Sequence, residues 1–271
     1  MCICYKLIMT KFAVAYNKSF ENSIEVMGDL KSALNKYNAV ADFFDIDELK
    51  HGYDFVFVIG GDGTLLKCAR FYSKFLTPIF GINLGRLGFL SQVSKANLEL
   101  AVSKIINKNY RIEDRIMLES NDKVALNDFV VKGTTNGRTS RFSLKINEKF
   151  LCDYLADGII ITTPTGSTAY GLSAGGPIIN PKLNAFVIVP ICPHTLTARP
   201  LVIPDDEIIT ICSDNTNYVA SADGQEFYEF TKKITIKKSQ NVAKLVLLDD
   251  NDFYSVLRNK LNWGTSLACM K

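Results

Sequence analysis

The chain has 271 residues, 47% hydrophobic and 22% charged, with a formal net charge of +3 from 31 basic and 28 acidic side chains. That balance argues against a basic nucleic-acid surface, and no basic run supplies one. The length allows one large domain or two of ordinary size, with enough apolar residues for a substantial core.

The seven cysteines are scattered and odd in number: Cys2, Cys4, Cys68, Cys152, Cys192, Cys212 and Cys269. Cys2-Ile3-Cys4 is too closely spaced for a CxxC metal knuckle, and only His51 and His194 could build an imidazole site. The expectation is reduced thiols in a cytoplasmic protein with no tightly bound protein metal site. The N-terminus has neither a long apolar core nor a cleavage signal. No run approaches the roughly 18 apolar residues of a membrane span.

In chain order, residues 11–16 read as a first strand, and residues 22–37 as a helix with Ile24, Met27, Leu30 and Leu34 on one face. Short apolar runs at 40–44, 55–59 and 78–83 read as strands, and 98–106 as a helix with Leu98, Val102, Ile105 and Ile106 apolar. A helix follows residue 64 and ends near Ser73. Strands and helices that alternate in this way predict a Rossmann-like parallel α/β domain over residues 1–110. Ligands in such sheets sit at the carboxyl ends of the strands.

The rhythm changes near Arg111. β-rich runs follow at 115–119, 123–131, 141–146, 149–154, 158–162, 185–189, 208–212, 218–222, 234–238 and 243–248. Asn136-Gly137 and Asp223-Gly224 are turn signals among them. The prediction is a β-rich, sandwich-like domain over residues 111–248. Residues 249–271 then supply a C-terminal helix that returns to the α/β domain.

The first chemical signal is Gly60-Gly61-Asp62-Gly63-Thr64, directly after the buried run 55–59. Glycines let the backbone turn sharply and approach a ligand closely. The N–H groups that open the next helix can face an anion. A carboxylate in that loop can accept a proton or hold a metal, which together suggests phosphoryl chemistry. The plainer reading is a tight strand-to-helix turn with Asp62 as N-cap.

The second signal runs from Asp157 to Tyr170. A buried strand stops at Pro164, then Thr165, Gly166, Ser167 and Thr168 precede a helix-like stretch at 169–174. Small hydroxyls, a glycine and an aromatic ring suit a nucleoside pocket. The plainer reading is a helix start capped by Ser167 or Thr168, which accounts for one hydroxyl but not four within residues 163–168. Asn127-Asp128 sits inside an apolar run, so one of the two should face the core or a site. The alternative is a surface edge. Arg138 in the following loop is either a phosphate contact or a solvated side chain. His194, between prolines, is a structural hydrogen-bond donor or a phosphate contact.

Taken together, these residues resemble the NAD kinase family. The resemblance rests on the segment from Gly60 to Leu66, on Asn83-Leu84-Gly85-Arg86-Leu87-Gly88-Phe89-Leu90, on Asn127-Asp128 and on Asp157 through Tyr170. Ser173-Ala174-Gly175-Gly176-Pro177, Pro190-Ile191-Cys192-Pro193-His194, Arg199-Pro200 and Asp223-Gly224-Gln225 extend it. The glycine-aspartate loop alone is shared with lipid kinases and phosphofructokinases. The Thr-Pro-Thr-Gly-Ser-Thr-Ala-Tyr element is not.

The resemblance implies Mg²⁺-dependent transfer of the γ-phosphoryl group of ATP, or of polyphosphate, to the 2′-hydroxyl of the adenosine ribose of NAD. Asp62 would be the general base. Gly61, Gly63 and Thr64 of the glycine loop would be substrate contacts, Lys67 a weaker carry-over as a ligand contact, Phe89 would lie against adenine, and Asn127 and Asp128 would hold the adenosine. Thr165, Thr168, Ala169, Tyr170, Gly171, Leu172 and Ser173 would line the pocket, with Asp157 at the nicotinamide end. Arg138, Asp223 and Gln225 would be further contacts. The family usually has Asn-Glu where this chain has Asn127-Asp128, one methylene shorter. The likeness also implies a homodimer or homotetramer, and composition adds the expectation of a cytoplasmic protein with no nucleic-acid or membrane partner.

Overall fold

The structure, a computed structural model, describes residues 10–85, 88–91, 93–134, 139–213, 218–248 and 252–263. It divides into two compact units, residues 1–113 with 244–271, and residues 114–243.

In the first unit, β1 (Phe12–Tyr16), α1 (Ser23–Asn35), β2 (Ala41–Asp45), β3 (Phe55–Ile59), α2 (Asp62–Tyr72), β4 (Ile79–Asn83), β5 (Val93–Ser94) and α3 (Leu98–Ile106) follow in order. The strands form a parallel sheet in the order β4-β3-β1-β2, with β5 beside β4. Every residue of β3 is buried. A strand covered on both faces has no solvent side, so it reads as an unbroken Phe-Val-Phe-Val-Ile run. Val26, Leu30 and Leu34 of α1 and Leu98, Val102 and Ile105 of α3 pack with Phe57 and Phe80 in one core.

The face of α1 differs from expectation. Its buried residues are Ser23, Val26, Leu30, Ala33 and Leu34, and Ile24 is 63% exposed. At ~100° per residue, Ile24 stands about 120° round the helix from Leu30, off the packed stripe.

The β-rich part runs through β6 (Arg111–Ser120), β7 (Lys123–Ala125), β8 (Asp128–Gly133), β9 (Ser140–Ile146), β10 (Lys149–Ala156), β11 (Gly158–Thr162), the short α4 (Tyr170–Ser173) and β12 (Ala185–Ile191). It continues with β13 (Leu201–Pro204), β14 (Ile209–Ser213), β15 (Tyr218–Ala222), β16 (Glu226–Phe230) and β17 (Lys233–Leu247). One antiparallel sheet has the order β13-β12-β11-β8-β15-β16, and a second has β10-β9-β14-β17. Phe129, Ile161 and Phe186 from the first meet Phe142, Ile211 and Ile236 from the second in a shared core. The other face of the first sheet is covered too, with Val130, Ile160, Val187 and Val189 packed on Ile179. This is the β-sandwich-like architecture expected of the C-terminal part, and the α/β fold precedes it.

Three boundaries correct the reading from sequence. The run 123–131 is two strands, interrupted at Leu126 and Asn127. The runs 234–238 and 243–248 are one strand, β17, whose Leu245 pairs in parallel with Ile79 of β4. Residues 166–173 form a 3₁₀ turn (Gly166–Thr168) and one turn of α-helix in place of a helix over 169–174. The last element, α5 (Phe253–Leu261), is capped by Asp252, whose Oδ1 accepts from the N–H groups of Tyr254 at 2.7 Å and Ser255 at 2.9 Å. It belongs to the first unit and buries Leu257.

Candidate active site

The glycine loop leaves the carboxyl end of β3, and α2 begins at Asp62 with Gly61 as its N-cap in extended backbone. The capping position therefore carries no side chain, and Asp62 does not cap the helix. Its carboxylate turns elsewhere. Oδ2 accepts from the backbone N–H of Phe89 at 3.1 Å, and the Ser91 hydroxyl approaches Oδ1 at 3.5 Å. Ser91 is 3% exposed and accepts from Asn83 Nδ2 at 2.9 Å and from the Gly88 N–H at 3.1 Å. Asn83 Oδ1 in turn accepts from Gly85 N–H at 2.9 Å. Gly88 is required by space, because a Cβ there would stand 2.0 Å from Asp62 Oδ1. A single carboxylate is thus fixed by Phe89 and Ser91 while its residue stays part-exposed.

Thr64 is buried and Gly63 exposed. Lys67 pairs with Asp47 at 2.6 Å, and that ammonium lowers the Asp47 carboxyl from its ordinary range. In this structure Lys67 is spent on Asp47. Phe89 is half-buried and supplies its N–H to Asp62. Arg138 lies outside the described residues.

The second unit holds a cavity of about 640 Å³ lined by Asn127, Asp128, Lys132, Ala169, Tyr170, Asp223 and Phe227 among others. Its floor is the break between β7 and β8. There the backbone leaves the ladder, yet each polar group has a side-chain partner. The N–H groups of Leu126, Asn127 and Asp128 donate to the Asp223 carboxylate at 3.1, 2.7 and 3.3 Å. The Leu126 carbonyl accepts from Thr163 Oγ1 at 2.6 Å, and the Asn127 carbonyl from Thr162 Oγ1 at 3.1 Å and Thr163 N–H at 2.9 Å.

Asp128 is 4% exposed. Burial, and then the charge of Asp223, push its carboxyl up to about 7. A carboxyl raised that far in a cavity wall marks a site candidate. Tyr170 stands at the same wall, 39% exposed, with Lys132 Nζ 5.5 Å from its ring centroid.

The hydroxyls of the 163–168 element are mostly occupied within the chain. Ser167 Oγ donates to the Pro164 carbonyl at 2.7 Å and accepts from Ile179 N–H at 2.9 Å. Thr165 Oγ1 accepts from the buried Arg115 guanidinium at 3.2 Å, and Thr168 Oγ1 donates to the Thr165 carbonyl at 3.3 Å. Neither Ser167 nor Thr168 acts as a side-chain cap. Gly171 packs on Thr162, where a Cβ would lie 3.1 Å from Thr162 Cγ2. On α4, Leu172 is half-buried and Ser173 exposed.

The remaining candidates are exposed and do not line this cavity. Asp157 is exposed at the opposite end of β11, about 17 Å along the strand from Thr162. Gln225 is exposed in the β15–β16 turn, where its N–H donates to the Ala222 carbonyl at 3.0 Å. His194 is exposed and its N–H donates to the Leu155 carbonyl at 2.8 Å. Sequence reasoning did not single out Ser91, Lys132 or Phe227. Ser91 and Lys132 each lie within a few residues of a motif that was read, which is the only local signal they carry.

Among the described residues, no three His, Cys, Asp or Glu side chains cluster to hold a metal, and no helix is long and apolar enough to cross a membrane. Cys68, Cys152, Cys192 and Cys212 are free thiols.

Two family descriptions match the sequence: the ATP-NAD kinase N-terminal domain over residues 5–110 and the ATP-NAD kinase C-terminal domain over 126–248. An NAD kinase of Thermoanaerobacter sp. (strain X514) is 36% identical over 280 aligned residues, covering 93% of this chain and 99% of its own. That of Carboxydothermus hydrogenoformans is 41% identical over 235 residues, covering 82% and 84%. Among solved structures, an NAD kinase from Archaeoglobus fulgidus in complex with ATP superposes with a TM-score of 0.80 at 28% identity, covering 93% of this chain and 98% of that one. Yeast NADH kinase complexed with NADH shares the fold with a TM-score of 0.84 at 23% identity, covering 97% and 90%. With both family domains matched in order and relatives above 30% identity across nearly the whole length, the chain belongs to the NAD kinase family.

Proposed function

We propose that the protein transfers the γ-phosphoryl group of ATP to the 2′-hydroxyl of the adenosine ribose of NAD and so makes NADP, with Asp62 as the general base. The observation that carries this reading is the Asp62 carboxylate. It follows a glycine-rich strand end, leaves the capping position to Gly61, and is anchored through the Phe89 N–H. A ribose hydroxyl is a weak nucleophile until its proton has somewhere to go. Asp62 accepts that proton as the ribose oxygen bonds to the γ-phosphorus. The bond from that phosphorus to the bridging oxygen breaks, and ADP leaves with the electron pair.

The start of α2 faces the phosphates with backbone N–H groups and the positive end of the helix dipole. Asn127 and Asp128 bind the adenosine ribose in the second unit's pocket, and Tyr170 offers a flat ring to a base or ribose. The metal is handled by the nucleotide. Mg²⁺ would be carried on phosphate and water oxygens. Bound there, it would supply charge neutralisation on the transferring group. ATP and polyphosphate are both compatible donors. A cytoplasmic homodimer or homotetramer completes the reading.

The test is a donor-by-acceptor assay with NAD, ATP or polyphosphate, and Mg²⁺, run beside Asp62→Asn. NADP should form with the wild type. Asp62→Asn should retain NAD binding and lose about 10²-fold or more in kcat, the range for a positioned general base. Wild-type turnover in Asp62→Asn would remove Asp62 from the chemistry.

A further inference from the structure

The resemblance places Asp223 among the substrate contacts, but its carboxylate is already engaged by the chain itself. We propose that Asp223 is the positioning residue of the acceptor pocket, a clamp that fixes the Asn127-Asp128 corner and does not itself bind the dinucleotide. The inference rests on the reading of this pocket as the NAD site.

In a regular strand, successive N–H groups point to opposite sides. Here three successive N–H groups, of Leu126, Asn127 and Asp128, converge on one carboxylate. Converging backbone N–H groups form a nest that favours an anion at its centre. Asp223 supplies that anion from the β15–β16 turn, where it sits at φ 52° beside Gly224 at φ 63°. Its own N–H donates to the Asp128 carbonyl at 2.9 Å, which ties the turn to the corner from the same side. Thr162 and Thr163 hold the two carbonyls from the end of β11. The corner is pinned from both sides, by Asp223 in the cavity wall and by Thr162 and Thr163, which do not line the cavity, and Asn127 and Asp128 are thereby presented to it.

The clamp has an electrical consequence. Burial, and after it the Asp223 charge, disfavours the charged form of Asp128. The other titratable side chains that line the cavity are Lys132 and Tyr170. β11 carries none. Glu226, at the start of β16, is 3.4 Å from Lys123, and Arg115 of β6 donates to Thr165 Oγ1. A ribose hydroxyl donates a stronger hydrogen bond to a carboxylate than to a neutral acid. NAD affinity should therefore rise as Asp128 ionises near neutral pH, and removing the Asp223 charge should move that rise to lower pH.

Asparagine discriminates between clamp and charge. The Asn127 and Asp128 N–H groups both reach Oδ1, and Leu126 reaches Oδ2. Asp223→Asn can keep the first two bonds and lose the third together with the charge. Asp223→Ala loses all three.

The experiment measures kcat and KM for NAD and for ATP, and NAD binding by calorimetry between about pH 5.5 and about pH 8.5, a window centred near the raised Asp128 value. For Asp223→Ala, KM for NAD should rise about tenfold or more, as expected for lost charge-assisted hydrogen bonds, with KM for ATP unchanged. For Asp223→Asn, the rise should be smaller and the midpoint of the pH dependence should move down. An unchanged midpoint in Asp223→Asn, or an unchanged KM for NAD in Asp223→Ala, overturns the proposal while leaving the pocket as the NAD site. Wild-type protein that binds no NAD at any pH overturns the pocket reading itself.

Discussion

Gly166 lies against the carbonyl of Asn127 so closely that a Cβ on it would stand 2.2 Å from that oxygen. Both partners are backbone, and both are held. Gly166 N–H donates to Thr163 Oγ1 at 3.1 Å, and the Asn127 carbonyl is fixed by Thr162 and Thr163. Gly166→Ala therefore displaces the corner that carries Asn127 and Asp128. Such overpacking costs about 1–3 kcal/mol of stability. KM for NAD should rise by about tenfold or more, since small misplacements of a positioning group are expensive. Thermal melts and steady-state kinetics check both, and a normal KM in a folded variant would show that the corner tolerates movement.

Ser91 should matter to turnover without touching a substrate. Its oxygen accepts from Asn83 Nδ2 and from Gly88 N–H, which fills both lone pairs. The hydroxyl proton is thereby directed toward Asp62 Oδ1. Ser91→Ala removes that donor and the acceptor that Asn83 and Gly88 share. We expect kcat to fall by about tenfold with KM for NAD within about twofold, the pattern of a group that acts in the transition state alone. Ser91→Thr should recover part of the loss. A Ser91→Ala enzyme with full kcat would mean that the Phe89 N–H orients Asp62 unaided.

Asp128 should cost the free protein stability at neutral and alkaline pH. Its carboxyl is raised from 3.8 to about 7 in the folded chain. Between those values the folded state keeps a proton that the unfolded state has released, so stability falls as pH rises through that window. The contribution is fully present below about pH 4 and lost above about pH 7. Asp128→Asn removes the titration. It should be more stable than wild type at about pH 8, by an amount of order 2–4 kcal/mol, and the gap should narrow toward about pH 4. The same change should weaken NAD binding, a trade of stability against function. Urea melts at the two pH values decide it, and an equal gap at both would refute the buried, titrating carboxyl.

What the sequence made legible was what local pattern dictates. β3, α3, β11 and β15 fall where apolar runs and helical spacing put them, because each is specified by its own residues and its burial. The corner at Leu126 and Asn127 reads as strand because its hydrogen-bond partners come from far along the chain. Asp223 is 96 residues from Asn127, and Thr163 is 37 from Leu126. The polar stretch around Ser239 looked like a break in β17, yet Asn241 N–H donates to Ser239 Oγ at 3.1 Å and the strand runs on. The hydroxyls at 163–168 read as ligand contacts in composition alone. Only the fold shows that Thr163 and Ser167 are spent on main chain. Motif residues point to a candidate site, and the long-range polar contacts that shape it had no local signature.

Tyr170 offers a sharper test of what the pocket wall contributes. Its ring is 39% exposed beside a cavity of about 640 Å³, with the Lys132 ammonium 5.5 Å from the centroid. An aromatic ring left partly open at a cavity wall gains by covering its face with another flat group, and such pairs contribute about 0.5–1.5 kcal/mol beyond area. Tyr170→Phe keeps the ring and should leave KM for NAD within about twofold. Tyr170→Ala removes it and should raise KM for NAD by about tenfold with kcat little changed, which is the mark of uniform binding. Lys132→Met tests the cation separately. At an exposed site the cation–π contact is worth about 0.5–1 kcal/mol, so the expected rise in KM is only about two- to fivefold. If Tyr170→Phe proves as damaging as Tyr170→Ala, the hydroxyl and not the ring is the contact, and the ring's exposure has no bearing on binding.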